Sequence, residues 1–304
     1  MKQALVTGAY GFVGRHVARK ASLHGYDVTG IGHGSWSRNE WQEWGIARWH
    51  TADVTLETLM RFAGEPEVIL HCAGSGSVPF SMHHPYQDHE RTIGTTLSVL
   101  EFIRLCNPKT KAIIPSSASV YGKVGKLPIG IDSALQPVSP YGVHKKMAEE
   151  ICQSFGRHFG VETSIVRLFS IYGNGLRKQL LWDACSKIAS GDLVFSGTGL
   201  ETRDWLHIGD AAELLISAID HASTGCSVVN GGSGVALQIR EIVEAVASDL
   251  GVTERPRFTG SVRAGDPSHY QADIAEALKW GWTPQSDWRQ NLKSYVNWFR
   301  AGAQ

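Results

Sequence analysis

The sequence predicts an α/β protein, a doubly wound parallel sheet followed by a smaller C-terminal α/β domain. Short apolar runs alternate with longer helix-period segments through the first half, the pattern of parallel strands joined by crossover helices. The first apolar run ends in a glycine-rich turn that opens an amphipathic segment. After about Leu168 the strict alternation fades into loops rich in Gly, Trp and Arg.

Taken in order, strands are expected near Gln3–Thr7, Asp27–Ile31, Val68–Cys72, Lys111–Ser116 and Glu162–Leu168, with another just ahead of Asp53. Long helices are expected at Pro85–Cys106 and Pro140–Phe159, and later ones around Gln238–Leu250 and Gln290–Arg300. Right-handed crossovers place ligands at the carboxyl ends of such strands. No repeat or proline-rich linker separates the two parts, so they read as interleaved.

The 304 residues suffice for one large or two modest domains. Lys plus Arg and Asp plus Glu number 29 each, which gives no excess charge to draw nucleic acid or an anionic membrane. Cys72, Cys106, Cys152, Cys185 and Cys226 are scattered without metal-ligand spacing and read as reduced, mostly core thiols. The 13 histidines include no HxH or HExxH pattern, and the adjacent pair His83-His84 reads as a loop or helix start, so no metal is assigned. Met1 leads directly into an apolar strand, and no run of about eighteen apolar residues occurs, so a cytoplasmic protein is expected.

Thr7 to Gly14 reads TGAYGFVG, with strand before and helix after. Gly8, Gly11 and Gly14 allow a tight turn, close approach of a pyrophosphate and close helix–strand packing, while Phe12 and Val13 open the helix whose N–H groups face the phosphates. The end of the second strand carries Gly32 in place of the acid that would bind ribose hydroxyls. His33, Ser35 and Arg38, with Arg15 nearby, could instead donate to a 2′-phosphate, or be loop residues without cofactor contact. NADP is therefore favoured, with NAD possible. Asp53, followed by Val54, is placed to accept from an adenine amino group or to cap the next helix. On this reading residues 1–168, with a returning segment of about 206–230, hold the dinucleotide; 169–205 and 231–304 form the substrate part.

Tyr141 and Lys145 stand four residues apart on one helical face. An ammonium there would lower the phenol's pKa, so that the tyrosine exchanges a proton near neutral pH, and would also hold a cofactor ribose. Ser117 sits upstream at the carboxyl end of a strand whose Pro115 suits a strand end.

Eight segments in order resemble the extended short-chain dehydrogenase/reductases, the NAD(P)-dependent nucleotide-sugar epimerase/dehydratase family, across nearly the whole chain. They are TGAYGFVG, HCAG (His71 to Gly74), SSASVYG (Ser116 to Gly122), YGVHK (Tyr141 to Lys145), RLFSIYG (Arg167 to Gly173), TRDWLHIGD (Thr202 to Asp210), RAGD (Arg263 to Asp266) and GWTP (Gly281 to Pro284). The resemblance implies a Rossmann-type sheet, with Ser117, Tyr141 and Lys145 transferring protons at the sugar carbon. It also implies that Ala73 and Gly74 lie beside the cofactor. Ser77, Val78, Ser119 and Ser170 face the sugar, and Arg203, Arg263 and Asp266 lie at the nucleotide diphosphate. Either arginine could instead pair with Asp204 or Asp266. In the family the two long helices pair across a two-fold axis, which implies a homodimer.

Departures narrow the chemistry. Sugar dehydratases of the family carry Asp-Glu directly after the position of Ser117, and two-carbon epimerase/reductases carry Cys at Ser119; this chain has Ala118 and Ser119. The family's usual Asn residues are Ser170 and Arg91 here. Reduction of a 4-keto sugar nucleotide by NADPH is the leading expectation, C4 epimerisation with retained NAD the alternative, and a non-catalytic nucleotide-binding protein a third reading. Trp36, Trp41, Trp44 and Trp49 read as packing residues rather than a sugar platform.

Overall fold

In the computed structural model, which describes residues 2–261 and 269–302, the first half runs β1 (Lys2–Thr7), α1 (Phe12–Leu23), β2 (Tyr26–Gly32), α2 (Arg38–Glu43), β3 (Ile46–Thr51), α3 (Leu56–Phe62), β4 (Val68–His71), α4 (Val78–His83), α5 (Pro85–His89), a π-helical turn (Glu90–Gly94), α6 (Thr95–Cys106), β5 (Lys111–Ser117) and α7 (Pro140–Phe159). The rest runs β6 (Thr163–Leu168), β7 (Ser170–Tyr172), α8 (Gln179–Ala189), β8 (Val194–Phe195), β9 (Thr202–His207), α9 (Ile208–Ser217), β10 (Ser227–Gly231), β11 (Ala236–Gln238), α10 (Ile239–Leu250), β12 (Arg257–Phe258), α11 (Ala275–Lys279) and α12 (Trp288–Gly302).

Seven strands form one parallel sheet in the order β10-β6-β5-β4-β1-β2-β3. Strand order reverses between β1 and β4, which opens a crevice at their carboxyl ends. The period-2 alternation of each strand sorts its side chains to two covered faces. Ala4, Val6, Val68, Leu70 and Ile113 pack with α1 and α9, whereas Leu5, Ile69, Ala112 and Ile114 pack with α3 and α6. Both faces of the central strands are therefore dry, and each fully buried Leu or Ile contributes about 1.5–3 kcal/mol.

The expected helix over Pro85–Cys106 is interrupted by the π-helical turn, a feature frequent at functional sites. Helix α7 has the expected bounds for local reasons. Ser139 accepts from the Gly142 N–H, Pro140 occupies the first turn, and Gly160 ends the helix at φ 73°. Beyond the main sheet, β11, β9 and β7 form a three-stranded sheet and β12 pairs with β8. A second apolar cluster joins α8, α10 and α12 over this layer. Among the described residues, no helix is long and apolar enough to cross a membrane.

Candidate active site

The glycine turn is a cradle that only glycine can build. Gly8 has φ +65°, and a Cβ there would lie 2.6 Å from the Ala73 nitrogen; one on Gly14 would lie 2.2 Å from the Gly8 oxygen. Gly11 donates its N–H to the Gly8 carbonyl at 2.9 Å and begins α1 with no side-chain cap. The first turn, Phe12, Val13 and Gly14, thus presents its N–H end without competition, as an anion requires. Below it, Thr7 Oγ1 meets His71 Nδ1 at 2.7 Å and accepts the Ala73 N–H at 3.3 Å, which ties the glycine turn to the loop carrying Gly74. Thr95 and Thr96 hydroxyls approach the other His71 nitrogen, and burial holds this ring's pKa down to about 3. These residues fit a dinucleotide.

At the end of β2 the arrangement departs from expectation. His33 Nε2 pairs with Asp53 Oδ1 at 2.8 Å, both largely exposed, so the imidazole is turned towards a carboxylate. Asp53 does not cap α3; Thr55 does, by a reciprocal pair with Thr58, while Val54 turns into the core. Arg15 lies over the rings of Tyr10, Trp36 and Trp44 at 5.4, 5.3 and 5.4 Å and donates to the Tyr10 carbonyl at 2.5 Å. Its guanidinium is clamped rather than projecting from the loop, and burial lowers its pKa. Ser35 and Arg38 are exposed. Trp36, Trp41 and Trp49 pack against the core, and Trp44 meets His16 edge-on, as packing residues do.

Ser117 ends β5, and Tyr141 and Lys145 follow on the first turns of α7. The Tyr141 hydroxyl is hydrogen-bonded to Ser117, which itself donates to Ser119 Oγ at 3.1 Å and accepts the Ser119 N–H at 3.2 Å. The Tyr141 backbone N–H donates to Ser81 Oγ at 3.0 Å, which seats α4 on the start of α7. Lys145 Nζ donates to the Pro115 carbonyl at 3.0 Å and lies 6.0 Å from the Tyr141 ring centre. The structure therefore brings together the three residues expected to act jointly. The expected depression of the phenol is not seen. Burial raises the Tyr141 pKa, the Ser117 hydrogen bond offsets part of this, and the nearby Asp88 carboxylate adds to the rise. Burial likewise draws Lys145 below its ordinary value. The ammonium is committed to Pro115, so desolvation of the phenol dominates.

Two groups escaped sequence reasoning. Ser116 donates to Glu149 at 2.5 Å, and Arg167 donates to both Glu149 oxygens and to Tyr121, whose hydroxyl donates to Asn230. This buried set locks α7 to β5 and β6. The signal was Glu149 one turn beyond Lys145 on the face that carries it. His144, inside YGVHK, meets the fully buried Asp88 on α5, Nδ1 to Oδ2 at 2.5 Å; no spacing in the sequence links them.

On the facing wall a cleft of about 710 Å³ is lined by Ser170, Gln179, Phe195, Glu201, Arg203 and Trp205, among others. Arg203 donates to the Thr202 carbonyl at 2.9 Å. Asp204 directs its carboxylate elsewhere, accepting from the Ser233, Gly234 and Ala272 N–H groups and the Ser233 hydroxyl. Ser77 caps α4, and Val78 begins it, at the cleft's near edge. Arg263 and Asp266 lie outside the described residues.

A parallel doubly wound sheet with a glycine cradle at its switch point, and a Ser–Tyr–Lys group beside it, defines a dinucleotide-dependent enzyme of the α/β class. The chain belongs to the NAD dependent epimerase/dehydratase family, whose model matches residues 4–232. It is an NAD(P)-dependent nucleotide-sugar enzyme. It is 26% identical to a putative UDP-glucose 4-epimerase of Methanocaldococcus jannaschii, over 97% of this chain and 98% of that one. It is 27% identical to UDP-glucuronate 4-epimerase 2 of Arabidopsis thaliana, over 97% of this chain and 75% of that one. Among solved structures, MoeE5 in complex with UDP-glucuronic acid and NAD superimposes with a TM-score of 0.86 at 25% identity, covering 99% of both chains.

Proposed function

We propose that this chain is a UDP-sugar 4-epimerase that retains NAD and acts as a homodimer. The observation that carries the reading is the Ser117–Tyr141–Lys145 group standing next to Ala118 and Ser119, where elimination of water would need an acid/base pair. The relatives named above, 4-epimerases of UDP-sugars, support it. The reductase expectation rested on the compact length and on His33, Ser35 and Arg38, with Arg15 nearby, gripping a 2′-phosphate; His33 and Arg15 are engaged elsewhere, while Ser35 and Arg38 stay exposed. Exposed apolar side chains on α6 and α7 (Leu97, Leu105, Val143 and Met147) support the dimer.

In this mechanism the bound nicotinamide supplies hydride acceptor and donor chemistry. Gly8, Gly11 and Gly14 hold the pyrophosphate, and Lys145 orients the ribose. Ser117 positions the C4 hydroxyl. With the dinucleotide bound, its positive nicotinamide would favour the phenolate that burial alone disfavours, and Tyr141 would take the C4 hydroxyl proton and return it once the sugar presents its other face. Atoms and electrons balance, so no co-substrate is consumed. Arg203 grips the diphosphate by charge-assisted hydrogen bonds.

The test is incubation with UDP-glucose and, separately, UDP-glucuronate, followed by NMR of the C4 proton. Interconversion of C4 epimers without net change in dinucleotide absorbance is expected. Stoichiometric oxidation of added NADPH on a 4-keto sugar nucleotide, without epimerisation, would establish the reductase instead.

A further inference from the structure

We infer that Asp88 and His144 form a positioning pair for Tyr141, a buried carboxylate set behind the proposed acid/base and an imidazole that limits how much of its charge the phenol feels. The inference rests on the reading of Tyr141 as the acid/base and adds two residues that act through it.

His144 stands three residues beyond Tyr141 and next to Lys145 on α7, so it shares the helix flank of the tyrosine. Helix α5 packs against α7, and its Asp88 is fully buried. Asp88 Oδ2 lies 2.5 Å from His144 Nδ1. A carboxylate oxygen only accepts, so Nδ1 carries the proton between them. Asp88 Oδ1 is buried without a partner among the described residues, which leaves the carboxylate dependent on His144. One and two turns beyond Asp88 stand the buried Thr92 and Thr96, and the Thr96 hydroxyl lies 3.3 Å from His71 Nε2. This buried row therefore runs from the flank of α7 to the ring beneath the glycine turn.

A buried carboxylate acts at a distance, because little water screens it. At Tyr141 burial raises the pKa most, Ser117 lowers it, and Asp88 raises it again. At Lys145 burial lowers the pKa, whereas Cys72 and then Asp88 oppose the fall. One charge thus keeps the ammonium protonated and works against the phenolate. The His144 N–H offsets part of that charge. The neighbouring carboxylates are met in other ways: Glu149 by Ser116 and Arg167, Glu101 of α6 by Arg104, and Glu90 of the π-helical turn by His89. Among the bases packed around α7, Lys111 of β5 donates to the Ile219 carbonyl, Arg91 lies over the Phe80 ring, and His83 and His84 end α4. His89 meets the His144 ring edge-on at 5.4 Å and flanks the pair.

The tyrosinate absorbance of the dinucleotide-loaded protein, read as the difference from Tyr141→Phe across about pH 6–10, gives the phenol midpoint without turnover. Asp88→Asn keeps the shape and removes the charge, and should move that midpoint down by about one pH unit. His144→Leu strips the carboxylate of its donor and should move it up by about as much, with the rate at neutral pH falling about tenfold and recovering as pH rises. His144→Asn, whose amide can stand where Nδ1 stands, should keep the wild-type midpoint. Combining Asp88→Asn with His144→Leu should abolish the upward shift. Variants that lose stability or rate while the midpoint stays in place would show a pair that merely seats α5 on α7, and shifts of one sign in both single variants would equally overturn the inference. Should His144→Leu not fold, the Asp88→Asn shift decides alone. Opposite shifts in a protein that does not interconvert C4 epimers would remove the epimerase reading and leave the pair intact.

Discussion

The polar set beneath the catalytic group and the smaller layer around β7, α8 and β9 differ in how their polar groups are met, although the main-sheet part also holds unpartnered buried atoms, Asp88 Oδ1 and Thr163 Oγ1 among them. Beneath the catalytic group, Arg167, Glu149, Ser116, Tyr121 and Asn230 form a set in which every polar side chain has a partner, and Arg167 and Glu149 are nearly inaccessible. In the smaller layer the Trp205 indole N–H is buried without a partner among the described residues, and Gln179 holds a left-handed backbone. A closed network fixes geometry. Unmet capacity is what a ligand completes. The contrast teaches that this fold holds its proposed proton-transfer residues rigidly and leaves its proposed binding wall unfinished.

The sharpest way to break the comparison is Arg167→Met. Leaving the Glu149 carboxylate buried and uncompensated should cost about 3–5 kcal/mol of stability in urea unfolding. A loss under about 1 kcal/mol would show that the set is not closed and that α7 is held by apolar packing alone.

Next in size is Tyr141→Phe, which deletes a hydroxyl and keeps the ring. Turnover should fall about a hundredfold or more, roughly 3 kcal/mol of barrier, with dinucleotide affinity little changed. Lys145→Met should lower both. Near-normal turnover in Tyr141→Phe would return the protein to the non-catalytic binding class.

The smallest effect sharpens the contrast through pH. Burial holds the folded-state pKa of His71 down to about 3 and of His16 to about 4, both below the ordinary value near 6.5. The unfolded chain therefore binds these protons first. The stability they contribute is complete above about pH 6.5 and is lost as pH falls towards 4, with a slope of up to about 1.4 kcal/mol per pH unit for each ring. Urea midpoints at pH 7.5, 6.5 and 5.5 should decline in that order; a flat series would mean that His71 is not held neutral beneath the glycine turn.

The main sheet was legible because its signals are local. Short apolar runs between helix-period segments marked β1, β4 and β5, and Ser139, Pro140 and Gly160 set both ends of α7. The Ser117–Tyr141–Lys145 group was legible because a strand end and a helix start converge wherever this topology is built. What failed depended on competition between distant groups. His33 met Asp53 across the ends of two strands, and Asp204 met residues 233, 234 and 272 rather than its neighbour Arg203. The phenol's pKa went the wrong way because the sequence names Lys145 but not the burial around it.

The Asp204 carboxylate has a consequence for how the chain is made. It emerges with β9 well before its donors at residues 233 and 234, and 68 residues before the Ala272 N–H. Until that last segment leaves the ribosome, a fully buried acid has an incomplete set of donors. On a growing chain the strands up to β6 can pair as they appear, whereas the wall bearing Arg203 closes only near the end of synthesis. A truncation before residue 272 should therefore yield a chain whose glycine cradle is formed and whose cleft is not.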